Sequence, residues 1–191
     1  MSLYTFFGCL LIAYGPILSI FFLYIAPNAQ YVLLMVSSVA IQELCRWGYW
    51  TNVFQTVSGY GYALMSALVG YISLLVESIG PGVMMCPSCP KATLYFISAI
   101  TTSLFSLMHM SWMMISFEGF SELPKTKGWL KVIWVIVSHY GASFATTLNS
   151  STTVSNGCIY SIIVCLCIIA VSGYIVALSL KSRFKLSRSQ Q

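Results

Sequence analysis

Long apolar runs constrain this chain more than any other feature. Six stretches, 3–26, 31–50, 56–79, 93–117, 129–148 and 158–180, each run for 20 to 25 residues and are poor in charge. A helix rises ~1.5 Å per residue, so roughly 20 apolar residues cross the ~30 Å hydrocarbon core of a bilayer. The runs are continuous and lack the alternation of a membrane β-barrel strand. The expected fold is therefore all-α, a polytopic transmembrane helix bundle of about six spans. Composition points the same way. Charged residues make up 7% of the chain, against about 25% in a soluble domain. An aromatic content of 15% argues equally against a disordered chain.

Little is left for an extramembrane domain, so residues 1–180 read as one transmembrane unit followed by a short basic cytosolic tail, 181–191. The connections are brief. The segment 80–92 is broken by three prolines and two glycines, 118–128 is the most polar loop, and 149–156 is rich in hydroxyls. Positive charge orients such a bundle toward the cytosol. Lys125, Lys127, Lys131, Lys181, Arg183, Lys185, Arg188 and Arg46 fall on one side, and Lys91 alone on the other. Six spans then place Met1 in the cytosol and turn 80–92 and 149–156 toward the lumen or the outside. A cleavable signal peptide is not expected, because the first run is long and lacks a basic leader.

Few residues are available for proton chemistry. The four carboxylates are Glu43, Glu77, Glu118 and Glu122, the histidines are His109 and His139, and aspartate is absent from the sequence. His109 and His139 lie inside consecutive spans, about 12 and 15 Å from the shared cytosolic end. Antiparallel neighbours can therefore bring the rings together. Ionisable groups at such depth face a bundle interior or a polar cavity. The two rings can be hydrogen-bonding glue between helices, a grip on a partner, or catalytic groups. Glu43 and Arg46 stand three apart on one helix and can pair or snorkel, while Glu77 reads as interfacial. Gly59, Ala63 and Ala67 form a small-residue stripe suited either to internal packing or to a partner helix.

The cysteines carry less. Cys86-Pro-Ser-Cys89 has the spacing of a local disulfide on the luminal side, and Cys158, Cys165 and Cys167 read as small hydrophobes in an apolar helix. No metal site or other cofactor is expected, since further ligands at the depth of the Cys pair are missing. Asn149-Ser150-Ser151 matches a glycosylation sequon at the membrane surface. Ser143, one turn after His139, lacks a histidine on a later helix to complete a serine–histidine dyad.

Taken in order, Phe6-Phe7-Gly8-Cys9, Tyr14-Gly15-Pro16, Gln42-Glu43 with Arg46, Val57-Ser58-Gly59, Glu77-Ser78-Ile79-Gly80-Pro81-Gly82-Val83, His109 with Trp112, and Ser138-His139 with Leu148-Asn149 form a pattern. That pattern resembles the anterior-pharynx-defective (Aph) subunit family of gamma-secretase over nearly the whole chain. The resemblance implies a non-catalytic scaffold that holds presenilin, nicastrin and the presenilin-enhancer subunit in the bilayer. It implies a complex that cleaves type I membrane proteins such as Notch receptors and amyloid precursor-like substrates, in the endoplasmic reticulum, Golgi and plasma membrane. By the same resemblance His109 and His139 match the family's intramembrane assembly histidines, and Gly59, Ala63 and Ala67 match its three-glycine stripe, with alanine at two of the three positions. The family plan has seven spans and an N-terminus outside, so the chain has one span fewer than that plan.

The alternative from the residues alone is a small transporter or proton-coupled carrier using Glu43, His109 and His139. No internal repeat or second broken helix matching the Pro16 interruption supports it. Nothing in the sequence suggests a nucleic-acid partner.

Overall fold

A computed structural model of the chain describes residues 31–52, 83–123 and 126–188, together with 68, 71, 72, 75, 76, 79 and 80. The span expected at 3–26, and most of the one at 56–79, lie outside the described residues. Among the described residues four helices dominate: α1 (Tyr31–Asn52), α2 (Leu94–Ser121), α3 (Thr126–Thr146) and α4 (Gly157–Arg188). A short antiparallel hairpin, β1 (Met85–Cys86) and β2 (Cys89–Thr93), precedes α2, and a single 3-10 turn (Thr147–Ser150) follows α3. Two of the described helices, over Leu94–Ser121 and Gly157–Ser182, are long and apolar enough to cross a membrane.

Helices α2, α3 and α4 pack mutually, and α1 lies against α2 and α3. The core follows from helical spacing. Met108, Trp112 and Ile115 stand at i, i+4 and i+7 on α2, Val135 and Ala142 at i and i+7 on α3, and Cys165 meets them from α4. Ser161, Cys165 and Ser172 are fully buried along α4, a seam of small side chains that lets it approach its neighbours closely. Trp134 Nε1 of α3 donates to Ser172 Oγ at 3.2 Å across that seam. Large apolar side chains such as Leu33, Leu107, Val137, Ile159, Leu166, Tyr174 and Leu178 point outward. Apolar exposure on this scale suits lipid and not water.

The helix ends have local causes. Thr93 Oγ1 accepts the Phe96 N–H at 3.3 Å and caps α2. At its other end, Glu122 N–H bonds to Glu118 O and Gly119 O, both at 3.1 Å. The chain then turns so tightly that a Cβ on Gly128 would lie 2.4 Å from the Glu122 backbone, which only glycine permits. Lys131 bridges this turn to Glu118 at 3.2 Å and Glu122 at 2.9 Å. Two features differ from expectation. The proline-broken segment after residue 80 forms a hairpin, because Cys86 and Cys89 face each other across the two-residue turn Pro87-Ser88. The last apolar run continues as helix to Arg188, through most of the residues read as a tail.

Candidate functional site

Four ionisable side chains from three helices meet inside the bundle. Glu43 and Arg46 come from one face of α1, His109 from α2 and His139 from α3. Arg46 Nη1 donates to Glu43 Oε1 at 2.5 Å and to Oε2 at 2.7 Å. His139 Nδ1 lies 2.5 Å from Glu43 Oε1, and since the carboxylate accepts, the imidazole donates. Arg46 Nη2 lies 3.2 Å from His109 Nδ1. Guanidinium only donates, so Nδ1 of His109 accepts and a neutral ring carries its proton on Nε2. The directions of all these bonds are thereby assigned by chemistry. Arg46 runs to both histidine-bearing helices, directly to α2 and through Glu43 to α3.

Trp112 closes the cluster. Its ring centroid is 4.7 Å from that of His139 and 5.4 Å from that of His109, and the two imidazoles stand edge to face at 5.2 Å. Arg46 Cζ sits 5.9 Å above the indole, within cation–π range. Arg46 and His139 are each 1% exposed and Trp112 is fully buried. Burying one charge alone is costly, whereas a carboxylate and a guanidinium cancel and satisfy each other. Arg46 Nε and Trp112 Nε1 find no acceptor among the described residues. The spacing of His109 and Trp112, three apart on α2, was the available signal for the tryptophan. Chemically, the arrangement is a clamp. Both oxygens of Glu43 are occupied, and His109 and His139 each spend Nδ1 on a fixed partner.

Tyr140 Oη adds a direct tie from α3 to the Val36 carbonyl of α1 at 3.1 Å. Gly59, Ala63, Ala67 and Glu77 lie outside the described residues. No group of three or more metal-ligating side chains occurs among the residues described.

A second cluster sits at the other end of α2, where the hairpin meets the start of α4. The local Cys86–Cys89 bridge of the sequence reading is not formed. Cys89 is bonded to Cys158, and Cys86 is a buried free thiol. Cys158, expected as a small hydrophobe within an apolar span, opens α4 and is brought onto β2 because residues 151–157 fold back over the hairpin. Ser88 organises this fold. Its Oγ accepts the Cys158 N–H at 3.2 Å and donates to the Asn149 carbonyl at 3.0 Å, while its own carbonyl takes the Asn156 N–H at 2.9 Å. Asn156 turns the chain with φ of 60°, and a Cβ on Gly157 would lie 2.4 Å from Leu148 O. Asn149, the sequon residue, is buried here. Disulfides persist in oxidising compartments, and the distribution of Lys and Arg carries the expectation that these segments face one.

Comparisons with known proteins cover most of the chain. The family model described as Aph-1 protein matches residues 4–40 and 29–180. Gamma-secretase subunit APH-1B of Homo sapiens is 24% identical over 213 residues, covering 78% of this chain and 80% of that protein. Gamma-secretase subunit APH1-like of Arabidopsis thaliana is 27% identical over 158 residues, covering 69% of this chain and 60% of that protein. Gamma-secretase subunit Aph-1 of Drosophila melanogaster is 22% identical over 205 residues, covering 79% and 84%. The human alignment, at 213 residues, is longer than this whole 191-residue chain, so the relative carries stretches without a counterpart here.

Proposed function

The chain belongs to the Aph-1 protein family, and from that premise we propose that it is a membrane-embedded subunit of a gamma-secretase complex. Its contribution is assembly, and the peptide-bond chemistry belongs to a partner. The single observation that carries this reading is the polar cluster: Glu43, Arg46, His109 and His139 bond to one another and hold α1 against α2 and α3. Groups committed in this way organise a surface and are poorly placed to exchange protons with a substrate. The absence of aspartate from these 191 residues supports the same division of labour.

The partners in this proposal are presenilin, nicastrin and the presenilin-enhancer subunit, with type I membrane proteins of the Notch and amyloid-precursor kind as substrates of the complex. Gly59, Ala63 and Ala67 supply a close-packing stripe for a partner helix, and Glu77 an interfacial contact. The complex works along the endoplasmic reticulum, Golgi and plasma membrane. Affinity purification of the tagged chain from its own cells in mild detergent is expected to recover presenilin and nicastrin. Recovery of neither, from a chain that is stably inserted, contradicts the proposal.

A further inference from the structure

We propose that Cys86, Cys89 and Cys158 form a thiol–disulfide exchange site in which Cys89 switches its bond between α4 and its own hairpin. Three observations carry it. Cys86, Cys89 and Cys158 lie in one buried cluster with Ile97. Cys89 has two partners within disulfide reach. Its Cα is 6.2 Å from that of Cys158, and Cys86 is its register partner across a two-residue turn, where Cα atoms approach to within about 7 Å. Disulfides need Cα separations of roughly 4.4 to 6.8 Å. The third observation is that Cys86 carries a free thiol, which donates to Asn149 O at 3.3 Å and lies 3.5 Å from Ser88 Oγ. The same two groups hold the Cys158 end in place, since Ser88 Oγ accepts the Cys158 N–H and donates to Asn149 O.

The exchange balances within the chain. Cys86 loses its proton, and the thiolate attacks Cys89 Sγ. A Cys86–Cys89 bond forms, the Cys89–Cys158 bond breaks, and its electron pair leaves on Cys158 Sγ, which takes up a proton. Cys86 sulfur rises by one oxidation level and Cys158 sulfur falls by one while Cys89 is unchanged, so neither oxidant nor reductant is consumed. The first state ties the hairpin to the start of α4. The second closes the Cys86-Pro-Ser-Cys89 loop on itself and leaves that helix end tied to the hairpin by the Ser88 hydrogen bonds. The site reads as a redox-neutral clasp on the luminal cap.

The test uses the full chain in detergent, held with a trace of reduced glutathione, acid-quenched and alkylated after denaturation. Trypsin then separates the two states, because Cys86 and Cys89 share one peptide ending at Lys91 and Cys158 lies on another. Wild type is expected to give two populations: one with the peptides cross-linked and Cys86 alkylated, the other uncrosslinked with Cys158 alkylated and Cys86–Cys89 bridged. Cys86→Ser is expected to lower Cys158 alkylation at least tenfold, and Cys158→Ser, given oxidised glutathione as the two-electron oxidant, to yield the Cys86–Cys89 bridge. Alkylation of Cys86 alone in wild type overturns the proposal, whatever the behaviour of the variants. So does Cys158 alkylation that is unchanged in Cys86→Ser.

Discussion

The mid-bundle cluster and the disulfide-linked cap solve one problem with different kinds of bond. Each joins elements far apart in the chain. Glu43 reaches across 96 residues to His139, and Cys89 across 69 to Cys158. Inside the bundle the joint consists of charge-assisted hydrogen bonds whose strength depends on every member being present. At the cap it is a covalent bond supported by backbone hydrogen bonds around Ser88. Each kind of joint is safe in a different setting. Where water is excluded, a matched ion pair cannot be screened, but one missing partner leaves a stranded charge. Near water and an oxidant, a disulfide adds its constraint to the unfolded chain and tolerates the loss of neighbouring hydrogen bonds.

That contrast can be broken most forcefully at Glu43. Glu43→Ala strands the buried Arg46 guanidinium, and removing one partner of a buried pair costs about 3–5 kcal/mol. A thermal melt in detergent is expected to show a large drop, with α1 the first element to exchange amide hydrogens. Cys158→Ser comes next. Opening a loop of this size costs about 2–4 kcal/mol in the chain-entropy account, and the loss is expected to be matched by treating wild type with reductant. If reductant leaves the wild-type melt unchanged, the covalent half of the comparison fails.

Smaller effects sharpen the contrast at places where neither joint is involved. Gly128→Ala drives a Cβ into the Glu122 backbone and is expected to cost about 1–3 kcal/mol. Gly141→Ala on the same helix has open space around its Cβ and should be neutral or slightly stabilising, by about 0.5 kcal/mol. Parallel melts of the two variants read this difference directly. Lys131→Met should matter least. Its ion pairs with Glu118 and Glu122 are partly solvated, so about 1 kcal/mol or less is expected, and less again at high salt.

The two regions also differ in how far the sequence disclosed them. Ionisable residues inside apolar runs stand out by cost alone, so His109, His139 and the Glu43–Arg46 spacing were legible, as were the four described spans to within a few residues at most ends. The meeting of the two imidazoles was legible too, but their union with Glu43 and Arg46 was not, because it depends on how α1 docks against α2 and α3, and apolar periodicity is silent about that. At the cap the cysteine spacing left the pairing open. A Cys-x-x-Cys run suggests a local bridge, but the fold-back through Asn156 and Gly157 delivers Cys158 to Cys89. The α4 seam of Ser161, Cys165 and Ser172 was present in the spacing of small residues and was masked by the uniform apolarity around it.

In the proposed assembly role, the buried charges shape a surface for partners without themselves touching one. Its most direct test is a double-mutant cycle on Glu43→Leu and Arg46→Met, reading both the melt in detergent and the recovery of presenilin and nicastrin. Each single variant is expected to lose stability and partner recovery together, and the double variant to regain most of both, since an apolar replacement of a buried pair is often near neutral. A double variant that is as stable as wild type yet recovers no partner would contradict the claim.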